Sequence, residues 1–357
     1  MTLRTNATRS RTAKSSSNKH FAIVGAGIAG VACARTLVQA GHRVTVFEWD
    51  SQPGGRMASQ SSPFGSFDSG AQYFTARDPR FVQVLQATPE LCRPWSANAV
   101  RVLDAHGRVA EAALPRLEPH FVAQPGMGAL VAHWAKPLGD ALLTGLQVTR
   151  IERDTLDATR WQLRTETDAG EMHVHSGFDA VLMATAPNPA RRLLAKLSST
   201  LSNQLAKVKL SPCWALMIAF PNANQPTLSH LGPQWNAARS THHRVAWLAR
   251  ESSKPGRQST ERWTLQASAD WSQEHLHDDA PRVQAKLMRA FSEITGIRAE
   301  PAFAQTRCWP EAQTVVPAGK PHLWDAKAAL GAAGDWCTGH RVEEAFLSGL
   351  SLALAVH

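Results

Sequence analysis

The residues with the clearest chemical capacity are glycines spaced as in phosphate-binding turns. The motif reads Gly25-Ala26-Gly27-Ile28-Ala29-Gly30. In a dinucleotide-binding fold, Gly25 permits a tight turn, Gly27 lets the backbone approach the pyrophosphate, and Gly30 lets a helix pack closely on a strand. The N-terminus of that helix supplies amide donors and partial positive charge to the phosphates. The spacing therefore predicts a dinucleotide-binding turn.

The flanking sequence supplies the elements that such a turn requires. An apolar run at His20–Val24 precedes it, an Ala- and Leu-rich stretch and Gly41 follow it, and a second apolar run spans Val44–Phe47. We predict a strand, a helix, a glycine at the helix end and a second strand, in that order. Glu48 ends the second strand, 21 residues after Gly27, where a carboxylate can bind the ribose hydroxyls of an adenosine.

A second glycine motif, Gly54-Gly55-Arg56, follows at short range. Paired glycines allow close backbone approach, and a guanidinium can pair with a phosphate. Together the two motifs resemble the FAD-binding half of the flavin amine oxidase superfamily, in which a Gly-Gly-Arg turn lies along the FAD pyrophosphate. The resemblance implies FAD as a noncovalent cofactor, because Cys337 does not stand where a cysteine bonded to flavin is expected.

The next segment resembles renalase-like bacterial enzymes of the same superfamily. Phe64–Phe81 is similar to the stretch that passes beside their flavin. Its small residues, beginning at Ser69, would let the backbone lie against the isoalloxazine. The resemblance implies these flavin-binding residues in the segment: Gly70, Ala71, Gln72 and Tyr73.

A motif near the other end of the sequence is similar to the C-terminal flavin motif of that family. An apolar strand predicted at Ala328–Ala333 leads to Asp335, whose carboxylate would accept hydrogen bonds from the ribityl hydroxyls. A helix predicted from about Val342 would direct its N-terminus at the pyrimidine edge of the flavin and so favour the reduced state. The residues implied at this motif are Gly334, Asp335, Arg341, Val342, Glu343 and Ala345.

Weaker similarity continues between the two ends. Pro125–Leu130 resembles the family's Gly-Met turn, Leu146–Ile151 resembles the strand that places Val148 over the adenine, and Val181–Pro187 resembles a strand and turn that include Ala184. The resemblance implies an α/β fold with a Rossmann-type FAD-binding domain interleaved with a mixed-sheet α+β substrate domain, as in amine oxidases and p-hydroxybenzoate hydroxylase. The expected division is a disordered basic tail at 1–19, an FAD-binding domain at 20–90, 125–190 and 306–357, and a substrate domain at 91–124 and 191–305.

The tyrosine content bears on the substrate, because Tyr73 is the only tyrosine in the sequence. Amine oxidases of this superfamily flank their substrate with paired aromatic side chains, commonly tyrosines. A two-tyrosine cage cannot be built here, which weakens an amine oxidase assignment, although Trp or Phe could substitute. Similarity to renalase-like enzymes implies hydride transfer from a 2- or 6-dihydro isomer of NAD(P)H to flavin N5, with reoxidation by oxygen giving hydrogen peroxide. The alternatives are a flavin amine oxidase or desaturase on the same fold, or a non-catalytic flavin-binding sensor or partner module.

Candidates for the substrate pocket are Trp214, Trp309 and His340, with a plain core role as the alternative for each tryptophan. A hydride donor needs no general base, so no catalytic acid or base is assigned. Basic side chains between residues 238 and 262 are expected to form a solvated face, with contact to an anionic dinucleotide as the alternative. They include His242, His243, Arg244, Arg250, Lys254 and Arg257.

Charge and cysteine content exclude several other classes. Residues 1–19 contain five basic residues and no acidic one, so over half of the formal charge of +9 lies in this tail. No nucleic-acid motif accompanies it, and no apolar run approaches the roughly 20 residues that span a bilayer. The 5 cysteines are widely spaced without a Cys-x-x-Cys pair. We therefore expect neither nucleic-acid nor membrane binding, no metal site, and a cytoplasmic protein.

Overall fold

The fold is built around the strand, turn and helix that the first glycine motif predicts. The computed structural model describes residues 18–96, 100–111, 118–224 and 235–357. In these ranges the helices are α1 (Ile28–Gln39), α2 (Pro79–Gln86), α3 (Gly128–Ala135), α4 (Pro187–Leu194), α5 (Ser199–Leu205), α6 (Ala269–Glu274), α7 (Ala280–Thr295) and α8 (Val342–Val356). The strands are β1 (His20–Val24), β2 (Arg43–Phe47), β3 (Ser59–Gln60), β4 (Phe67–Asp68), β5 (Cys92–Trp95), β6 (Arg101–Leu103), β7 (Val109–Glu111), β8 (His120–Ala123), β9 (Leu142–Leu143), β10 (Gln147–Arg153), β11 (Trp161–Glu166), β12 (Met172–Phe178), β13 (Ala180–Met183), β14 (Lys209–Phe220), β15 (Ala237–Ser240), β16 (Val245–Arg250), β17 (Glu261–Ala267), β18 (Phe303–Val316), β19 (Leu323–Asp325) and β20 (Leu330–Ala332).

A six-stranded sheet holds the predicted turn. Its order is β19-β20-β13-β1-β2-β9, and every pair is parallel except the edge pair β19-β20. Phe21 and Ile23 of β1 are fully buried, as expected for a parallel sheet covered on both faces. Strand β1 has its predicted bounds. Strand β20 is shorter than the predicted Ala328–Ala333, because Ala329 adopts a positive φ of 55° and turns the chain before Leu330.

Helices cover one face of this sheet, and a second small sheet covers the other. On the first face α1 packs against α3 and α8. A Cβ built on Gly349 of α8 would lie 2.0 Å from the backbone oxygen of Ala29, so α1 and α8 touch through their backbones. The opposite face packs on the antiparallel sheet β10-β11-β12 through Trp161 and Leu163, and on α4 and α5 through Leu194 and Leu201.

A second large sheet has seven strands and is mainly antiparallel. Its order is β18-β14-β17-β16-β15-β6-β7. Helix α7 covers one face with Val283, Leu287 and Phe291, which recur at four-residue spacing and are buried. The Asp279 side chain accepts a hydrogen bond from the Arg282 amide at the start of α7, and Gly296 ends the helix with φ 75°. The other face of the sheet is turned towards the nucleotide-binding turn.

Two predicted domain boundaries are wrong. Strand β18 crosses the expected boundary at 305/306 and pairs along its length with β14 of the seven-stranded sheet. Helix α5 was expected in the substrate domain, yet Leu201 and Leu205 pack in the core beneath the six-stranded sheet. Both errors have one cause, since motif matches locate the cofactor loops but carry no information about strand pairing.

Most of the predicted basic tail, residues 1–17, lies outside the described residues. Lys19, the last residue assigned to the tail, instead belongs to the fold, because its Nζ donates to the Val356 carbonyl at 3.0 Å. Within the described ranges, no helix is long and apolar enough to cross a membrane. The same ranges contain no group of three or more His, Cys, Asp or Glu side chains arranged to hold a metal ion.

Candidate functional site

The predicted turn joins β1 to α1 and is closed by backbone hydrogen bonds. Gly25 donates to the Phe47 carbonyl at 2.7 Å, and Gly54 of the second motif donates to the Ala26 carbonyl at 3.1 Å. Gly27 is the N-cap of α1, and Ile28 begins the helix. The two glycine motifs therefore lie side by side at the carboxyl ends of β1 and β2, where open parallel sheets bind dinucleotides.

The space around the glycines fits a pyrophosphate. A Cβ on Gly30 would lie 1.9 Å from the Gly25 oxygen, so helix packing alone requires glycine there. A Cβ on Gly27 would meet nothing within 4 Å, and its φ of −69° suits any residue. No contact within the protein explains glycine at this position. The free space and the free amides at the start of α1 are those that a bound pyrophosphate would use.

Glu48 ties the two loops together. Its Oε2 accepts a hydrogen bond from the Ala26 amide at 2.6 Å, and its Oε1 accepts one from the Asp50 amide at 3.0 Å. Burial raises the pKa of Glu48, and the backbone hydrogen bonds from Ala26 and Asp50 oppose that rise. The carboxylate thus shapes the turn from inside, besides the ribose contact that its position predicts.

Replacing Glu48 with alanine is expected to weaken FAD binding at least tenfold, because two loop amides lose an acceptor worth about 1.5 kcal/mol or more each. The measurement is titration of apoprotein with FAD, followed by quenching of flavin fluorescence. Asp50→Ala is the matched control, since its side chain is 55% exposed and only approaches Arg307 at 4.0 Å. Wild-type affinity in Glu48→Ala would refute the assignment.

Arg56 and Asp335, expected on the pyrophosphate and the ribityl chain, contact each other. The guanidinium donates to both carboxylate oxygens of Asp335, with 3.0 Å from Nη1 to Oδ2, and also to the Ala312 carbonyl at 3.0 Å. Asp335 lies in the short turn after β20, and Arg56 in the turn after Gly55. The structure thereby brings the N-terminal and C-terminal motifs together at one place.

The segment Ser69–Tyr73 is held from both sides. The Ala71 amide donates to the Arg56 carbonyl at 2.9 Å, and a Cβ on Gly70 would lie 2.1 Å from that same oxygen. On the other side, the Trp309 indole donates to the Ser69 carbonyl at 3.1 Å. The segment therefore lies between the glycine motifs and the seven-stranded sheet.

Strand alternation identifies the side chains that face this segment. Met217 of β14 packs with Phe67 of β4, whereas its neighbours Leu216 and Ile218 pack under α7. We call the Met217 side of the seven-stranded sheet the inner face. Cross-strand partners share a face, so the following side chains lie on the inner face: Cys213, Ala215, Arg307 and Trp309, together with Gln266 and Trp247.

The two tryptophan candidates lie on opposite faces. Trp309 is on the inner face, and the Arg307 guanidinium stands 3.9 Å from its ring centroid. Trp214 is on the outer face, buried in the core beneath α6 and α7, with its indole donating to the His275 carbonyl at 3.0 Å. The pocket prediction for Trp214 is therefore wrong, because adjacent residues of a strand point in opposite directions.

Tyr73 belongs to an aromatic cluster beside the inner face. Its ring stacks on His120 with centroids 4.0 Å apart and planes at 22°, and Trp247 lies 5.7 Å away. This arrangement joins the Ser69–Tyr73 segment to β8 and β16. Sequence reasoning did not identify His120 or Trp247, because neither lies in a recognisable motif.

The residues at the start of α8 are only partly free for a ligand. The Oε1 of Glu343 accepts hydrogen bonds from the Arg77 and Asp78 amides at 2.6 Å each, so this carboxylate orients the loop before α2. Arg341 is the N-cap of α8, and Val342 and Ala345 lie in its first turn. The pocket candidate His340 is exposed, and its amide donates to the Glu344 carboxylate.

The remaining predicted cofactor residues pack around the turn. Ala184 follows β13 and donates to the Val24 carbonyl at 2.7 Å, directly against Gly25. Val148 of β10 is buried in the core on the far face of the six-stranded sheet. Cys337 is also buried there, and burial raises the pKa of its thiol to about 12. A thiol held protonated is a poor nucleophile, which agrees with noncovalent FAD.

A buried charge cluster lies next to this site. Lys254 bonds to Asp68 and Glu251 at 3.0 Å each, and Arg257 bonds to Asp68 at 2.6 Å. The expectation of a solvated face is wrong for Lys254 and Arg257, whose side chains are 0% and 1% exposed. No local pattern reveals the cluster, because Asp68 stands 186 residues before Lys254.

Two regions of the chain match known families. Residues 23–88 match the NAD(P)-binding Rossmann-like domain, and residues 96–357 match the flavin containing amine oxidoreductases. The chain is 52% identical to the L-amino-acid oxidase of Daboia russelii over 44 residues, 12% of this chain and 9% of that protein. It is 47% identical to a 4,4'-diapophytoene desaturase of Staphylococcus haemolyticus over 50 residues, 14% and 10% of the two proteins. The chain thus spans about a tenth of the length of these curated relatives.

Solved structures are similar over nearly the whole chain. A candidate protoporphyrinogen oxidase from Exiguobacterium sp. 255-15 has a TM-score of 0.72 at 12% identity, covering 95% of this chain and 99% of that one. A triple mutant of putrescine oxidase has a TM-score of 0.69 at 11% identity, covering 95% and 98%. These similarities confirm the predicted fold class. With the family match, they support an FAD-dependent oxidoreductase.

Proposed function

The chain belongs to the flavin containing amine oxidoreductases, and from this premise we propose that it is an FAD-dependent oxidase of dihydronicotinamide dinucleotides. Its substrate would be a 2- or 6-dihydro isomer of NAD(P)H. Bound FAD supplies the two-electron acceptor, which oxygen reoxidises. In the balanced reaction, the isomer, oxygen and one proton give NAD(P)⁺ and hydrogen peroxide. The chain's own side chains bind and orient the dinucleotide.

The observation that carries this proposal is the charge of the inner face. Arg307 stands over Trp309 with its side chain 32% exposed and 4.0 Å from the Asp50 carboxylate, and Trp309 contacts the Ser69–Tyr73 segment. A guanidinium stacked on an aromatic ring is well placed to bind a phosphate, and it would repel an aliphatic ammonium ion. An anionic dinucleotide therefore suits this face better than a cationic amine.

The only tyrosine supports the same choice. Tyr73 stacks on His120, so its ring is already engaged face to face inside the protein. A second tyrosine to complete an amine cage is absent from the sequence. A dihydropyridine is itself a hydride donor, so the reaction requires orientation against the flavin and no proton removal by a base.

Anaerobic mixing tests the substrate class. We expect 6-dihydro-NAD to remove the yellow absorbance of the oxidised flavin rapidly, and a primary amine such as putrescine to leave it. The reverse preference would establish the alternative, an amine oxidase on the same fold. Bleaching by neither compound would leave the alternative of a non-catalytic flavin-binding protein and would overturn the proposal.

The role of Arg307 is tested by reversing its charge. Arg307→Glu is expected to raise KM for 6-dihydro-NAD about tenfold, the loss of one charge-assisted phosphate contact. The turnover number should change little, because the reacting ring lies elsewhere on the substrate. Arg289→Glu is the matched control, since this 75% exposed arginine lies on α7, over the opposite face of the sheet. Equal effects of the two substitutions would refute a specific phosphate contact.

A further inference from the structure

Lys254 is a buried cation whose three donors are all used. Its ammonium lies 3.0 Å from the Asp68 carboxylate, 3.0 Å from the Glu251 carboxylate and 3.2 Å from the side-chain oxygen of Gln72. An ammonium group has three donors and no acceptor. The ammonium of Lys254 therefore has no donor left for a further partner. Of its three acceptors, Gln72 is the one without a charge.

Lys254 decides which way the Gln72 amide points. Because an ammonium can only donate, the oxygen of the Gln72 amide must face Lys254. The amide nitrogen then faces the backbone, where it donates to the Asp68 carbonyl and, at 3.2 Å, to the Gly70 carbonyl. A rotated amide would set its NH₂ against the ammonium and its oxygen against two carbonyls. One buried charge thus selects one conformation of the chain from Asp68 to Gln72.

The same stretch is anchored twice more from the seven-stranded sheet. Gln266 of β17 donates to the Gly70 carbonyl at 2.6 Å, and Trp309 of β18 donates to the Ser69 carbonyl. Lys254 lies in the connection between β16 and β17. The Ser69 carbonyl, the Gly70 carbonyl and the Gln72 side chain are therefore all held by side chains of the seven-stranded sheet or its connections. The inner face of this sheet is the face that would receive the substrate.

We propose that Lys254 is a positioning residue, which acts through Gln72 to fix Ser69–Gln72 against the bound flavin. The inference rests on the FAD site and is independent of the substrate's identity. A segment held in one conformation before FAD arrives costs less to order on binding. Loss of the Lys254 contact should therefore weaken FAD binding and change the surroundings of its ring.

The charge balance of the cluster determines which variants are informative. Burial alone would raise the pKa of Asp68, but Lys254 and Arg257 hold it below its usual value. Lys254→Met alone would leave the buried Asp68 and Glu251 carboxylates without the ammonium that bonds both of them, a change expected to cost about 3–5 kcal/mol of stability. Lys254→Met combined with Glu251→Gln removes one charge of each sign. The amide at position 251 still accepts from the Thr264 hydroxyl and the Asp68 amide, as Glu251 does.

The experiment compares this charge-neutral double variant with Gln72→Met in the full chain. Each is expected to weaken FAD binding about tenfold, the value of a buried hydrogen bond to a charged group. Each should also alter the shape of the flavin absorption band. The triple variant should bind FAD within about twofold of either one, because the changes break the same link and cannot add.

Hydrogen exchange of the apoprotein supplies a readout that needs no cofactor. Amides in residues 69–73 should exchange faster in both variants, while those of β14 keep their protection. Lys286→Met is the matched control, because it breaks the contact of Lys286 on α7 with Asp278, which precedes the helix, away from the inner face.

Wild-type FAD affinity, spectrum and exchange in Gln72→Met would overturn the inference. If the double variant fails to fold, Gln72→Met decides alone, because Lys254 keeps both of its carboxylates there. Additive losses in the triple variant would also overturn it. Oxidation of amines by the wild-type protein would defeat the proposed substrate and leave this inference unaffected.

Discussion

Replacing Gly27 with valine is expected to abolish FAD binding while the apoprotein remains folded. A Cβ at this position meets no protein atom within 4 Å, and the backbone has φ −69° and ψ 177°, which valine adopts readily. The side chain would instead occupy the place where the backbone must approach a pyrophosphate. We expect an affinity loss of at least about a hundredfold, as for several lost phosphate contacts. Flavin content after purification and FAD titration measure it.

Gly30→Ala provides the contrasting control for this prediction. Its Cβ would lie 1.9 Å from the Gly25 oxygen, so helix α1 must move off β1. We expect a lower free energy of unfolding in the apoprotein, by about 3 kcal/mol or more, the scale of a forced overpacking. Thermal unfolding without FAD separates the two cases. A yellow Gly27→Val protein would refute the dinucleotide assignment of the turn.

Asp68→Ala is expected to produce a large loss of stability, because Asp68 accepts bonds from both Lys254 and Arg257 of the buried charge cluster. Asp68 accepts hydrogen bonds from Lys254, Arg257, the Ser59 hydroxyl and the Met127 amide. Removing the carboxylate leaves Lys254 and Arg257 buried without the acid that they share. Breaking such a pair costs about 3–5 kcal/mol. Chemical unfolding of the apoprotein should show this loss or a failure to fold.

The acid dependence of the same variant gives a second test. The pKa of Asp68 is lowered in the folded protein, so its contribution is fully present above the unfolded value of about 3.9 and is lost as the pH falls through the folded value. The difference between wild type and Asp68→Ala should be constant near neutral pH and shrink in acid. Asp278→Ala, which removes a partly exposed acid beside Lys286, should cost far less stability than Asp68→Ala. Equal stability of Asp68→Ala and wild type would contradict the role of the cluster.

Local patterns predicted the nucleotide half of the fold well. The strand His20–Val24, the turn and helix α1 are adjacent in sequence, and a glycine spacing has direct steric meaning there. The start of α8 at Val342 was also predicted, since the motif before it carries the same kind of local signal. These elements could be predicted because the conformation of each one depends on residues close to it in the sequence.

The inner face could not be predicted, because it depends on pairing between distant strands. Strand β14 is apolar on both sides, so nothing in its sequence separates Trp214 from a pocket residue. Only the register of β14 against β18 shows that Trp309 lies on the inner face of the sheet and Trp214 on the outer face. The Arg56–Asp335 contact joins residues 279 apart, and Lys254 meets Asp68 across 186. The sequence around Lys254 and Arg257 predicts a solvated face, because their buried partner Asp68 lies far away in the sequence.

The backbone contact between α1 and α8 has a consequence for the order in which the protein is made. Ribosomes complete α1 more than three hundred residues before they reach Gly349, which packs on Ala29. Until α8 emerges, one side of the helix that begins the nucleotide turn lacks its cover. A nascent chain halted before residue 342 therefore has the complete glycine turn but no cover for it. The packing that holds α1 in place is therefore complete only after α8 has been made, so we expect stable FAD binding only in the full-length chain.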